Sequence, residues 1–175
     1  MPWWAIVILV VAIFAGFYLS GVIIYAYQMN QYGRRMAKSL EAIDVLIVQK
    51  YDMLRVIGKL FAKYDIQVPP EFVLSVRPKF EETLADISPS ERAVVKAFLT
   101  RTAQALFYYG EMHPELATHK DYVAIKESYA DTDRQYRMAV TLYNADVVGY
   151  NYWRRFVWFR WIAVMRKLGP KELIS

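Results

Sequence analysis

Between Trp3 and Tyr27 the chain reads WWAIVILVVAIFAGFYLSGVIIYAY, without one charged side chain, and the first charge is Arg34. This run constrains every later choice the chain can make. As a helix of 25 residues it would measure ~37 Å, enough to cross a ~30 Å hydrocarbon layer with some tilt. Trp3 and Trp4 at one end, and Tyr25, Tyr27 and Tyr32 at the other, suit the two aromatic belts of a membrane span. A cleaved signal peptide would need a basic leader, a shorter apolar stretch and a small-x-small cleavage site, and the sequence offers none of these. Arg34, Arg35 and Lys38 follow the run, whereas MPWW precedes it. The positive-inside rule then predicts an outside N-terminus and a cytoplasmic remainder. Ala12, Gly16 and Ser20 share one face at four-residue spacing, a pattern that lets helices approach but is also common in membrane helices.

Beyond the run the periodicity is helical throughout. Leu40, Ile43, Ile47, Leu54, Ile57, Phe61 and Tyr64 alternate by threes and fours, which predicts that the membrane helix continues as a stalk over 28–65 until Pro69 and Pro70 end it. A second helix is expected over 71–86, with Pro78 obscuring its start. SPSE is a helix-start signature: Ser88 caps, Pro89 takes the first position and Glu91 closes the capping box. The third helix should run through Val94, Val95, Phe98, Leu99, Thr102, Leu106 and Tyr109 and stop near Gly110. HPEL, from His113, reads as a tight turn. Thr118 then caps a fourth helix that meets no proline before Pro170. Short connections favour an all-α fold: a transmembrane helix continuing into a long antiparallel up-and-down bundle of about four helices. The expected division is an anchor at 1–30, a helical bundle at 31–168 and a short tail at 169–175.

The fourth helix carries Tyr122, Tyr129, Tyr136, Tyr143 and Tyr150 at heptad spacing. They form one inward seam, with Ile125, Thr132, Ala139, Asp146 and Trp153 at the alternate position. Buried phenols need hydrogen-bond partners; Asp44 and Asp52 on the first helix, or Asn144 and Asn151 beside the ladder, are the candidates. These polar residues are expected to fix the register of the bundle.

The net charge is +5. From Tyr152 onward there are six basic residues against one acid, Glu172, so the excess lies wholly in that segment. Counting helix lengths brings the fourth helix back to the membrane near Arg155, where WRRFVWFRW stands. Trp153, Trp158 and Trp161 with Arg154, Arg155 and Arg160 have the chemistry of a bilayer interface, rings at headgroup depth and guanidiniums on phosphates. A terminal helix packed on the bundle, and RNA binding through stacked rings, are the alternatives. The counted length favours the interface, with the lipid bilayer as partner and no nucleic acid.

Nothing in the sequence points to an enzyme. Cysteine is absent, which removes disulfides, thiolate metal sites and Cys nucleophiles. His113 and His119, near Glu111, Glu115 and Asp121, straddle a Pro-containing turn and lack the paired Glu-x-x-His motif of di-iron bundles. No phosphate loop, nucleophile elbow or Gly-rich nucleotide turn is present. No cofactor is expected.

Three stretches carry a resemblance: SLEAIDVLIVQKYDML (Ser39 to Leu54), HPEL (His113 to Leu116) and YNADVVGYN (Tyr143 to Asn151). In this order they resemble the LemA family, with Ser39, Ile43, Asp44, Val45, Tyr51, Asp52, Pro114, Leu116, Tyr143, Asn144, Val147, Tyr150 and Asn151 on the matching positions. Arg55–Val56, His113 and the residues after Phe156 depart from its pattern. The resemblance implies a single-pass protein of the bacterial cytoplasmic membrane with a cytoplasmic helical bundle, and it supplies no catalytic residue. The expected role is a non-enzymatic scaffold or regulatory adaptor for a membrane or signalling protein, with a second copy of the chain as a further candidate partner. The alternative is a membrane-organising protein acting on lipid through Trp153–Trp161.

Overall fold

The computed structural model describes residues 2–67, Leu84 and 87–174, and among these it contains helices and no strand. Helix α1 spans Trp3–Lys63 without interruption, as expected of a stretch without internal proline. It ends in a Schellman motif: Asp65 turns left-handed (φ 54°), Ile66 N–H donates to Phe61 O and Asp65 N–H to Ala62 O. Helix α2 (Pro89–Glu111) starts on the full capping box, with Glu91 N–H donating to Ser88 Oγ at 3.3 Å and Ser88 N–H to Glu91 Oε2 at 2.7 Å. A single turn, α3 (Pro114–Ala117), occupies HPEL. Helix α4 runs Lys120–Arg154. After a 3₁₀ turn (Val157–Phe159) comes the short α5, Arg160–Met165. The helix expected over 71–86 lies outside the described residues, apart from Leu84.

The chain divides into two compact units, Met1–Ala37 with Ala145–Lys171, and Lys38–Asn144 with Glu172–Ser175. In the second unit α1 and α4 run antiparallel: Lys50 meets Asp133 and Tyr64 meets His119. The expected stripe on α1 is the buried face, Ile43, Ile47, Leu54, Ile57 and Phe61 being inaccessible. The tyrosine ladder of α4 is buried at every rung in this unit: Tyr122, Tyr129, Tyr136 and Tyr143. The heptad seam is therefore an inward face.

Two expectations are corrected here. Three of the ladder hydroxyls turn to backbone carbonyls and not to the candidate side chains: Tyr122 donates to Phe107 O (3.0 Å), Tyr129 to Leu99 O (3.3 Å) and Tyr143 to Glu172 O (3.2 Å). Of the residues along helix α2, Leu99, Thr102, Ala103, Leu106 and Gly110 are buried, whereas Val94 is 70% and Phe98 48% exposed. A Cβ at Gly110 would lie 2.6 Å from the Tyr122 ring. The start of α4 is capped by His119, whose Nδ1 accepts from Asp121 N–H (3.2 Å), while Thr118 Oγ1 donates back to Pro114 O.

Two ion pairs cross this core. Lys50, with no exposed surface, pairs with Asp133 and stands 5.1 Å from the ring centres of both Tyr129 and Tyr136. Burial lowers the Lys50 ammonium below its ordinary range. Burial alone would raise the Asp133 carboxyl, but the Lys50 hydrogen bond and the charges of Lys50, Arg137 and Lys96 hold it below. Burial pushes the Tyr129 and Tyr136 phenols up to about 12. Arg92 forks onto Asp44, Nε to Oδ1 at 2.6 Å and Nη2 to Oδ2 at 3.0 Å. Its remaining donors reach Ile87 O (2.6 Å) and Leu84 O (3.4 Å).

Candidate membrane-interface site

In the first unit the residues that follow Pro2 up to Ser20 are exposed, Ala5 being the one that is partly covered. The most apolar 18-residue window of α1 has a mean hydropathy of 2.7 and no buried residue. Among the described residues this is the one helix long and apolar enough to cross a membrane. Packing begins at Gly21 and Val22, and Tyr25 (1% exposed), Met29 and Met36 are buried.

Helix α4 was expected to continue toward Pro170; it stops at Arg154, and Phe156 takes an extended conformation (ψ 116°). The break gathers rings that a straight helix would have spread around its circumference. Trp153 packs on Phe156 at 5.9 Å, Phe156 stacks on Phe159 at 5.9 Å, and Phe159 lies 5.4 Å from Tyr25 and 5.8 Å from Tyr18. Phe159 sits over Gly21, where a Cβ would come within 2.7 Å of its ring. Trp161 Nε1–H donates to Tyr18 Oη at 2.8 Å. Arg166 reaches Asn30 Oδ1 at 3.4 Å, and Arg35 stands 4.0 Å from Asp146.

The contacts of Phe159 and Trp161, at Tyr18, Gly21 and Tyr25, fall inside the apolar run that ends at Tyr27. Tyr25 is thus a packed residue, which corrects its expected place in a lipid-facing belt. The largely exposed stretch, Trp3 to Ser20, is ~27 Å long as a helix, close to the hydrocarbon thickness. The in-span hydroxyl is also provided for: Ser20 Oγ–H donates to Gly16 O at 2.9 Å.

Beside the ring cluster Arg154, Arg155, Arg160 and Lys167 surround an open cleft of about 590 Å³ whose apolar wall includes Ala163 and Val164. No carboxylate lines it. The Arg154 Nε–H is buried and has no acceptor among the described residues. Val157, Trp158, Val164 and Met165 are each about seven-tenths exposed or more, and Trp161 is 46% exposed. Four cations and an outward apolar edge thus stand together, with a buried donor that has no acceptor among the described residues. Such a site can hold an anion that brings its own hydrocarbon.

Of the residues expected to act at an interface, Trp153 is packed inward, Arg154, Arg155 and Arg160 line the cleft, and Trp158 and Trp161 flank it. Lys167 was not foreseen, because it lies beyond the aromatic segment and enters only through the chain reversal. Of the expected register residues, Asp44 holds Arg92, and Asp52 is half-buried on α1. Tyr150 is buried in this unit, and Asn151 binds the Lys171 backbone. No group of three or more carboxylate and histidine side chains suited to a metal occurs among the described residues. No protein-family model matches the chain, and neither a characterised protein nor a solved structure matches it.

Proposed function

We propose that this is a single-pass membrane protein that grips anionic phospholipid headgroups at the foot of its helical part and so holds a non-enzymatic scaffold against the bilayer. The observation that carries this reading is the carboxylate-free cleft of Arg154, Arg155, Arg160 and Lys167 beside the exposed Trp158 and Trp161. A headgroup phosphate satisfies the guanidiniums, its acyl chains lie along Val157, Val164 and the free face of α1, and the indoles occupy the interfacial layer. The LemA resemblance and the basic flank at Arg34, Arg35 and Lys38 support a bacterial cytoplasmic membrane with the N-terminus outside. In that setting the remainder of the chain forms an up-and-down bundle of about four helices. Its role is that of an adaptor, displaying a helical surface to a membrane or signalling protein.

Thermal unfolding of the full-length chain in neutral detergent tests the lipid part. Short-chain phosphatidylglycerol should raise the midpoint, by linkage to binding, and phosphatidylcholine should not. The effect should fade at high salt and vanish in R155E/R160E, both exposed positions. Equal stabilisation by the two lipids, or a charge-reversed protein that responds like the wild type, overturns the reading.

A further inference from the structure

In the second unit, one short non-helical segment is held by side chains of α4 in an unusual way. Asn144 Nδ2–H donates to Ile174 O at 2.8 Å, and Ile174 N–H donates to Asn144 Oδ1 at 2.9 Å. One side-chain amide thus satisfies both backbone groups of one residue. That is the exchange two residues make in a hydrogen-bonded antiparallel pair, and it requires the N–H and C=O of Ile174 to point the same way, as in extended chain. The neighbouring rung, Tyr143, donates its hydroxyl to Glu172 O (3.2 Å), and Ser90 Oγ donates to Glu172 Oε2 (3.1 Å). The Ile174 side chain is buried at 2% exposure, whereas Leu173 between them is 48% exposed. Within the other unit Asn151 repeats the device on Lys171, at 2.9 and 3.1 Å.

We propose that Asn144, Tyr143 and Ser90 form a docking site for an extended peptide, that residues 172–174 occupy it as a tethered ligand, and that an extended segment of a partner protein exchanges with them. The seated tail defines the partner's chemistry: an acidic residue, any residue, then a β-branched or other aliphatic one. Three of the four hydrogen bonds reach backbone atoms, so recognition tolerates other sequences that can extend. Each bond contributes little net, so the tail is held chiefly by its high effective concentration. This is strand addition with an asparagine in place of a sheet edge, and it is independent of the lipid reading.

The test uses the full-length chain in detergent and a fluorescent peptide of the sequence GPKELIS. Ile174→Asp removes the buried side chain of the tethered competitor, and this variant should bind the peptide at least ten-fold more tightly than the wild type. N144A/I174D should lose that gain, and a peptide with the isoleucine replaced by aspartate should not bind. Hydrogen exchange at the backbone of residues 172–174 reports whether the tail has left. A vacated site that ignores the peptide overturns the proposal, as does a tail that stays protected in I174D. Asn144-dependent crosslinked dimers of the wild type, with no gain in peptide binding, would assign the site to a second copy and overturn the partner reading too.

Discussion

Asp133→Ala is expected to destabilise the full-length protein by about 3 kcal/mol or more, the cost of leaving a buried charge without its partner. The Lys50 ammonium has no exposed surface and would remain between the Tyr129 and Tyr136 rings with no carboxylate. The cation–π attraction of the two rings is present in both proteins and does not replace the lost carboxylate. Replacing both charges, as in K50M/D133L, should restore most of the stability, because the apolar pair removes the desolvation cost along with the attraction. Chemical denaturation of the three proteins in one detergent measures this. A D133A protein as stable as the wild type would show that Lys50 is held by something other than Asp133. The pH dependence has a defined sign. The Asp133 carboxyl is depressed in the fold, so its contribution is present above the unfolded carboxyl range and is lost as pH falls through the folded value.

Arg92→Ala should have a comparable effect, about 3–5 kcal/mol, and a larger one than Asp44→Ala. Arg92 is 5% exposed and supplies hydrogen bonds to Asp44, Ile87 O and Leu84 O. Its removal strands a half-buried carboxylate and two carbonyls together. Removing Asp44 leaves the guanidinium its two carbonyl acceptors. The double variant should therefore lose less than the two single losses combined, since both remove one interaction. Additive losses in the denaturation series would contradict the shared clamp.

What the sequence made legible follows from periodicity. The stripe from Ile43 to Phe61 and the tyrosine rungs were readable because burial on one face imposes threes, fours and sevens. The capping box was readable because its chemistry is local. Lys50 was not, although the stripe leaves a gap between Ile47 and Leu54 where it stands. A lysine reads as surface until the carboxylate that meets it, 83 residues away, is known. The burial of Gly110 was hidden for a related reason: a glycine reads as a helix stop until the Tyr122 ring that packs on it is known. Asn144 and Asn151 drew attention as a repeated Tyr-Asn pair, yet their partners are backbone groups, which no residue type announces. The reversal after Arg154 was hidden because its cause is the pairing of Phe159 with Gly21, a contact between distant parts of the chain.

The central claim is that the turn and helix after Arg154 lie in the headgroup layer, where the Tyr18–Tyr25 stretch of α1 crosses it. The chain has no cysteine, so single spin labels can be introduced at Leu9, Met138 and Val164, all exposed positions. In lipid bilayers, collision with oxygen reports the apolar interior and collision with a water-soluble nickel complex reports the aqueous phase. The label at Leu9 should respond to oxygen and the label at Met138 to nickel. The label at Val164 should respond to both, as a headgroup-depth position does. A Val164 label as open to nickel and as closed to oxygen as that at Met138 would place the segment in water and contradict the account.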